Sequence, residues 1–183
     1  MKTLLAVTAV LAASLMAVGA HAQTTPTVGV FFDESFTRMQ EDCPDVGVLD
    51  SVFVVAMNFN AYITGIEYSI NYPPTMVHVS DYAIPPVTIG STPAGISEAF
   101  GLPQNGYAPI IVAKVLFLWN CLPGCGNENV PVIVAKHPLT LHVRATDFPG
   151  YEYIDAIGMT SLVCATVPTE ETTWGRVKAM YGE

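Results

Sequence analysis

The side chains able to do chemistry in this sequence are few, and none has the spacing of a familiar catalytic motif. No G-x-S-x-G turn presents a nucleophilic serine, and no H-E-x-x-H pair would hold a catalytic zinc. His78 and His142 fall among the polar positions of their predicted strands, and His137 precedes a proline at a strand end. We therefore expect solvated or turn positions for these histidines.

Acidic side chains offer a second route to catalysis, because a glycoside hydrolase uses two carboxyl groups about 5 to 9.5 Å apart. No acidic pair here sits in a recognisable pattern, and acids at strand ends usually serve solubility. The sequence therefore predicts a protein that is not an enzyme, with a small glycan-active enzyme as one alternative. The acids available for such a pair are Asp33, Glu34, Asp147, Glu152 and Asp155.

Several acids, Glu41 among them, cluster in one predicted loop beside Cys43. Extracellular loops often bind Ca²⁺ through carboxylate and carbonyl oxygens, although the spacing here differs from that of an EF-hand. Calcium is the one cofactor that the sequence suggests. The candidate ligands are Asp33, Glu34, Asp42 and Asp45.

Aromatic side chains suggest a further alternative, a calcium-stabilised carbohydrate-binding module. Tyr68 and Tyr72 share the apolar side of their predicted strand, so we expect them in the core. The tyrosines expected to form an exposed patch are Tyr107, Tyr151 and Tyr153.

The N-terminal residues 1–22 have the pattern of a secretory signal. Lys2 is followed by an apolar segment, and Ala20-His21-Ala22 matches a cleavage site. Beyond it the longest apolar stretch is Pro109–Trp119, which is too short to span a bilayer as a helix. We expect a signal helix that is removed and a secreted product, in the periplasm, at the cell surface or outside the cell.

The four cysteines are an even number, and in an oxidising compartment pairing is the default. Four cysteines allow three connectivities, among which sequence alone does not choose. A Pro-Gly turn between Cys121 and Cys125 favours a local bridge, which leaves Cys43 with Cys164. Zinc is disfavoured because only one close cysteine pair is present.

Hydrophobic residues make up 51% of the 183 residues and charged residues 13%, which excludes intrinsic disorder and fits one folded domain. The net charge of −9 excludes a nucleic-acid partner, which requires a basic face.

Short segments rich in Val, Ile, Tyr and Phe alternate with Gly and Pro, the pattern of an all-β protein. Alternating polarity predicts half-buried strands at residues 66–72 and 139–145, whereas Phe53–Met57, Ile110–Trp119 and Val130–Ala135 are apolar on both sides. We predict an antiparallel β-sandwich of about eight or nine strands. The remaining predicted strands cover residues 27–32, 76–79, 96–99 and 161–167.

The order of segments resembles cohesin-type and related immunoglobulin-like bacterial sandwiches. Residues 63–73, with a G-[VI]-x-[FY]-x-[LIV]-x-[FY] strand, are followed by Met76-Val77-His78-Val79 and later by Ile110–Trp119. Cohesins bind a small calcium-dependent helical module. The resemblance therefore implies a binding or scaffolding role without catalysis.

The chain ends in a segment that resembles a short closing motif, T-W-G-[RK]-[IV]-K-[AS]-[LM]-[YF], of secreted bacterial proteins. Apolar residues in 172–181 recur at helical spacing, so we predict a short helix. The motif implies a sorting or attachment handle, and a helix that caps the sandwich is the alternative. Its candidate contact residues are Trp174, Arg176 and Lys178.

Together these patterns predict three segments: a signal peptide at 1–22, a β-sandwich at 23–167, and a linker with a short helical tail at 168–183. The predicted function is that of a secreted, disulfide-stabilised interaction or cell-surface module. Its partner would be a protein or a glycan outside the cytoplasm, it would not span a membrane after cleavage, and its oligomeric state is left open.

Overall fold

A computed structural model describes residues 24–42, 46–120 and 129–164. The predicted signal peptide and helical tail lie outside these ranges. Within them no helix is long and apolar enough to cross a membrane. The described chain forms thirteen β-strands: β1 (Thr27–Phe31), β2 (Gln40–Glu41), β3 (Leu49–Met57), β4 (Tyr62–Asn71), β5 (Met76–Ala83), β6 (Val87–Ser91), β7 (Gly95–Asn105), β8 (Ile110–Trp119), β9 (Val130–Ala135), β10 (Arg144–Phe148), β11 (Tyr153–Asp155), β12 (Ile157–Gly158) and β13 (Thr160–Val163).

The strands form two sheets. The first has five strands in the order β12-β1-β3-β8-β5, so that β5 is an edge strand bonded to β8. The second has eight strands, with β11-β10-β4-β9-β13-β2 in one path and β7 joining β4 to β6. All pairs are antiparallel except β1 with β12 and β13 with β2.

The core lies between the two sheets, and this arrangement confirms the prediction of an all-β sandwich. Tyr68 of β4 and Phe117 and Trp119 of β8 are fully buried. The rings of Phe117 and Trp119 pack edge to face, with centroids 4.9 Å apart. The prediction that Tyr68 belongs to the core is confirmed. Of the three strands predicted to be apolar on both sides, β8 and β9 have the predicted bounds. The third, predicted at 53–57, begins earlier, because β3 starts at Leu49.

The predicted strand at 139–145 is wrong in its first half. Leu139 and Leu141 are 88% and 64% exposed, and β10 begins only at Arg144. The backbone N–H of Leu141 donates to the carbonyl of His137, and Leu141 has a φ of 62°. These residues form a tight turn, which consumes the backbone groups that a strand would need.

A loop between β1 and β2 covers part of the outer face of the first sheet. The carboxylate of Asp33 accepts hydrogen bonds from the backbone N–H groups of Thr37 and Arg38, at 3.0 and 2.7 Å, and from the Ser35 hydroxyl. These bonds hold the pKa of Asp33 at about 2, mainly through Ser35. The loop thereby brings Phe36 and Met39 onto a second cluster formed by Phe31, Phe53 and Val55.

Candidate interaction surface

The part of the first sheet that this loop leaves open is the outer face of β5, β8 and the first half of β3. Along β8, Lys114, Leu116 and Leu118 point outward, since Val115, Phe117 and Trp119 between them are buried. Each outward residue of β8 has a partner on both sides, which makes three cross-strand rows. The rows are Val77, Leu118 and Leu49; Ser80, Leu116 and Ser51; and Tyr82, Lys114 and Phe53.

We call the accessible members of these rows the docking face. Val77, Leu49 and Tyr82 are 45%, 54% and 58% exposed. The charged member is Lys114, whose Nζ lies 5.4 Å from the centroid of the Phe53 ring. The face is thus mainly apolar, whereas the side of a sheet that faces water usually carries polar side chains. Its members are Leu49, Ser51, Val77, Ser80, Tyr82, Lys114, Leu116 and Leu118.

The inner side of β5 corrects the prediction for His78. The sequence predicts this histidine on a solvated face, but its cross-strand neighbour on β8 is the buried Phe117. The side chain of His78 is only 20% exposed. The valines on either side of it, Val77 and Val79, point outward instead. A register shift between His78 and Ser80 leaves Val79 unpaired, so the following Asp81 also points inward.

His78 and Asp81 belong to a buried polar cluster beneath the docking face. Asp81 accepts hydrogen bonds from the hydroxyl and backbone N–H of Thr92, at 2.6 and 2.9 Å. The Tyr72 hydroxyl lies 2.7 Å from the Thr92 hydroxyl. The Nε2 atom of His78 lies 3.0 Å from a carboxylate oxygen of Asp81, without the geometry of a hydrogen bond. Asp81 therefore ties β5 to the turn before β7.

Glu98 of β7 is the most unusual member of this cluster. It is 3% exposed, and both of its carboxyl oxygens are buried without a hydrogen-bond partner among the described residues. Burial, aided by the negative charge of Asp81, raises the pKa of Glu98 to about 8. The hydroxyl of Tyr68 lies close enough to oppose this shift, although the two groups do not have hydrogen-bond geometry. At neutral pH Glu98 is therefore mainly an uncharged acid.

The two tyrosines of the cluster stay neutral over the same range. Burial raises the pKa of both Tyr68 and Tyr72 well above the ordinary value. Their hydroxyls can therefore donate hydrogen bonds but add no charge.

Sequence reasoning missed Glu98, although a signal was present. Ile96, Glu98 and Phe100 share one side of β7, and the two flanking residues are apolar. A glutamate on the apolar side of a strand is a candidate for burial with a shifted pKa.

The predicted cysteine and tail sites fall mostly outside the described residues. Cys164 follows β13 and is 1% exposed. Its pairing stays a prediction, because the other three cysteines and the contact residues of the tail lie in segments that the structure does not describe. Those residues are Cys43, Cys121, Cys125, Trp174, Arg176 and Lys178.

The predicted calcium ligands do not assemble within the described part of the chain. Asp33 is engaged by its own loop, Glu34 and Asp42 are exposed, and Asp45 lies outside the described ranges. Residues 24–42, 46–120 and 129–164 contain no group of three His, Cys, Asp or Glu side chains able to hold a metal. The calcium site stays a prediction.

The acids proposed for catalysis make local contacts. Asp147 accepts a hydrogen bond of 2.6 Å from the backbone N–H of Glu152, and Asp155 lies 2.9 Å from His142. Both contacts stabilise the turns around β10 and β11. The alternative of a glycan-active enzyme gains no support from these contacts.

An exposed aromatic strip lies at one end of the second sheet. Tyr62 pairs across strands with Phe148. Tyr107 packs edge to face on Tyr62, and Tyr151 does so on Phe148, with centroids 6.2 and 5.9 Å apart. These four residues, which we call the aromatic strip, include two of the three predicted tyrosines. All are between 41% and 64% exposed.

The third predicted tyrosine, Tyr153, lies outside the strip. It is 62% exposed, but the guanidinium of Arg144 sits 3.7 Å from its ring centroid. Arg144 is also paired with Glu67 at 2.9 Å. One face of the Tyr153 ring is therefore already occupied.

Comparison with solved structures identifies the architecture. A cohesin module of the family 33 glycoside hydrolase from Clostridium perfringens ATCC13124 superposes with a TM-score of 0.53 at 9% identity, covering 76% of this chain and 96% of that one. The sandwich is cohesin-like. A cohesin from Clostridium thermocellum, in a type I cohesin–dockerin complex, gives a TM-score of 0.51 at 13% identity, covering 78% and 96%.

This cohesin-like likeness extends over the described domain but concerns the fold alone, because the identities are so low. No protein-family model matches the sequence, and no curated protein matches it significantly. The resemblance expected from the order of segments is thus confirmed for the architecture.

The buried acid predicts how stability depends on pH. The pKa of Glu98 is raised from 4.5 to about 8 in the folded protein. The folded state therefore holds a proton that the unfolded chain releases. This contribution to stability is fully present below pH 4.5 and is lost as the pH rises to about 8, at up to about 1.4 kcal/mol per pH unit.

Urea denaturation of the wild type and of Glu98→Gln, at several values between about pH 5 and pH 8.5, measures this effect. The unfolding free energy of Glu98→Gln should vary less with pH, because the amide does not titrate. Glu152→Gln, which removes an exposed acid, should behave like the wild type. Equal slopes for wild type and Glu98→Gln would contradict the assignment.

Proposed function

We propose that this protein is a secreted, non-catalytic interaction module that binds a protein partner through its docking face. The cohesin-like sandwich supports a protein-binding role, since the C. thermocellum neighbour is a cohesin in complex with a dockerin. The secretion signal and the disulfides belong to this proposal as expectations from the sequence. They suit a small domain that works outside the cytoplasm.

The observation that carries the proposal is the row of Val77, Leu118 and Leu49. Three apolar side chains are aligned across three strands and expose their apolar surface to water. Burial of this surface against a partner would contribute roughly 25 cal/mol of favourable free energy per Å² of apolar area. Side chains of neighbouring strands lie about 5 Å apart, so a partner meets them as one surface.

The other two rows give the face its specificity. Ser80 and Ser51 flank Leu116 and offer hydroxyl groups that can hydrogen-bond to a partner. Lys114 supplies a positive charge at the end of the face next to Phe53, on which the loop between β1 and β2 packs. We therefore expect a partner with an apolar stripe that meets Lys114 with an acidic group.

A charge placed in the apolar row should weaken binding. Immobilised wild type, Val77→Asp and Ile89→Asp would be exposed to the secreted proteins of the source organism, and captured partners would be titrated against each variant. Val77→Asp should weaken the affinity by about tenfold or more, because a carboxylate would be buried in the interface.

The control variant is Ile89→Asp, which places the same charge on β6 in the other sheet, where Ile89 is 71% exposed. It should bind as the wild type does. A partner that Val77→Asp retains at full affinity would contradict the proposed face.

The aromatic strip favours a second candidate function, which is carbohydrate binding. Exposed tyrosine rings combine an apolar face with a hydroxyl, a combination suited to amphipathic ligands. A groove of about 440 Å³, lined by residues 24–26, residues 59–61 and Ile154, reaches the residue next to Tyr62. The groove thus adjoins the aromatic strip along the chain, at Ala61 and Tyr62.

Affinity electrophoresis in gels that contain soluble polysaccharides tests this second function. If it holds, a polysaccharide that retards the wild type should not retard Tyr151→Ala. Tyr82→Ala, which removes a tyrosine of the docking face, should still be retarded. Unchanged mobility of the wild type with β-glucan, xylan and mannan would count against it.

A further inference from the structure

We propose that the buried acids Glu98 and Asp81 make the docking face sensitive to pH, so that loss of the Glu98 proton loosens β5 and weakens partner binding. This inference rests on the proposed function, because the response concerns the same face. Its structural half, the loosening of β5, can be measured without a partner.

No lysine or arginine among the described residues acts on Glu98. The titratable groups that act on it are Asp81 from β5 and Tyr68 from β4. Tyr72, just after β4, and His78 of β5 belong to the same cluster, with His78 beside Asp81 and the Tyr72 ring. The described arginines pair with other acids, Arg38 with Glu41 and Arg144 with Glu67, and the Nζ atom of Lys114 lies over the Phe53 ring on the outer face. A charged Glu98 would therefore face the carboxylate of Asp81 in a buried site.

Two buried carboxylates repel each other and each loses its hydration. This repulsion decreases if Asp81 moves away from Glu98 and water enters the space between them. The cluster already contains unpartnered buried atoms that water would satisfy, the hydroxyl of Tyr68 and the carboxyl oxygens of Glu98. Ionisation of Glu98 thus favours an opened arrangement of β5.

The strand that would move lies at an edge of its sheet. β5 is an edge strand bonded only to β8, and its register shifts at Val79. Asp81 holds it from the inside through Thr92. Weakening that contact leaves the ladder to β8 as the main restraint.

Movement of Asp81 changes the docking face directly. Ser80 and Tyr82, which precede and follow Asp81, both point to that face. Any displacement of Asp81 therefore disturbs two of the three rows. Below the pKa of Glu98, near 8, the face is intact, and above it the rows lose their alignment.

Trp119 reports on this opening, because it is fully buried and pairs with Met76 at the start of β5. The full chain has two tryptophans, so Trp174→Phe leaves Trp119 as the sole indole. Acrylamide quenching of its fluorescence would be followed from about pH 6 to pH 9, in this background and with Glu98→Gln added. We expect the quenching constant to rise about twofold as the pH increases, and to stay constant with Glu98→Gln.

Two further variants make the test more specific. Glu152→Gln, in an exposed loop, should follow the parent. Asp81→Asn should show a smaller rise, because the charged Glu98 would no longer face a second carboxylate, and it serves also if Glu98→Gln does not fold. A flat response of the parent, or the same rise with Glu98→Gln, would overturn the inference.

Partner affinity completes the test. A partner bound through the Val77 row near pH 6 should bind the wild type about tenfold more weakly near pH 9, with little change for Glu98→Gln. Equal wild-type affinity at both pH values would overturn the pH response and leave the proposed function standing. Failure to find any partner of the Val77 row near pH 6 would overturn the proposed function and this inference together.

Discussion

The orientation of β5 is the constraint on which the rest of the structure depends. This edge strand turns its valines outward and its histidine and aspartate inward, the reverse of the usual distribution. Its pairing with β8 enforces the arrangement, since Phe117 and Trp119 must fill the space between the sheets. Val77, opposite Leu118, is then left on the outside. One register thus creates both the apolar face and the polar cluster beneath it.

The loop between β1 and β2 determines how much of that face stays accessible. The carboxylate of Asp33 accepts hydrogen bonds from backbone N–H groups of the loop and so fixes its conformation. Phe36 and Met39 of this loop then cover the cluster around Phe53. Without this cover the apolar area would extend across the whole sheet, which is an aggregation hazard for a β protein. The acidic residue at 33 therefore has a structural role that its sequence context, a group of acids, does not reveal.

The sequence pattern was sufficient for the strands that consist of one apolar run. Ile110–Trp119 and Val130–Ala135 have the predicted bounds, because an apolar run of that length between polar residues fits a central strand. It misled at residues 139–145, where Leu139 and Leu141 alternate with polar residues but lie in an exposed turn.

Sequence patterns did not predict the buried polar cluster. The histidine in Val77-His78-Val79 was expected outside because its neighbours are apolar, and the bulge that places Asp81 inside leaves no trace in polarity. Asp81 and Glu98 lie on different strands of different sheets. Only tertiary packing brings them together.

The pH response of the docking face depends on the burial of one carboxyl group, that of Glu98. Carbon-13 NMR of the side-chain carboxyl of Glu98 in the labelled full chain, assigned by its loss in Glu98→Gln, measures this directly. We predict a titration midpoint at about 8. A midpoint near the ordinary value of 4.5 would show a hydrated carboxylate and contradict the placement of β5 over the cluster.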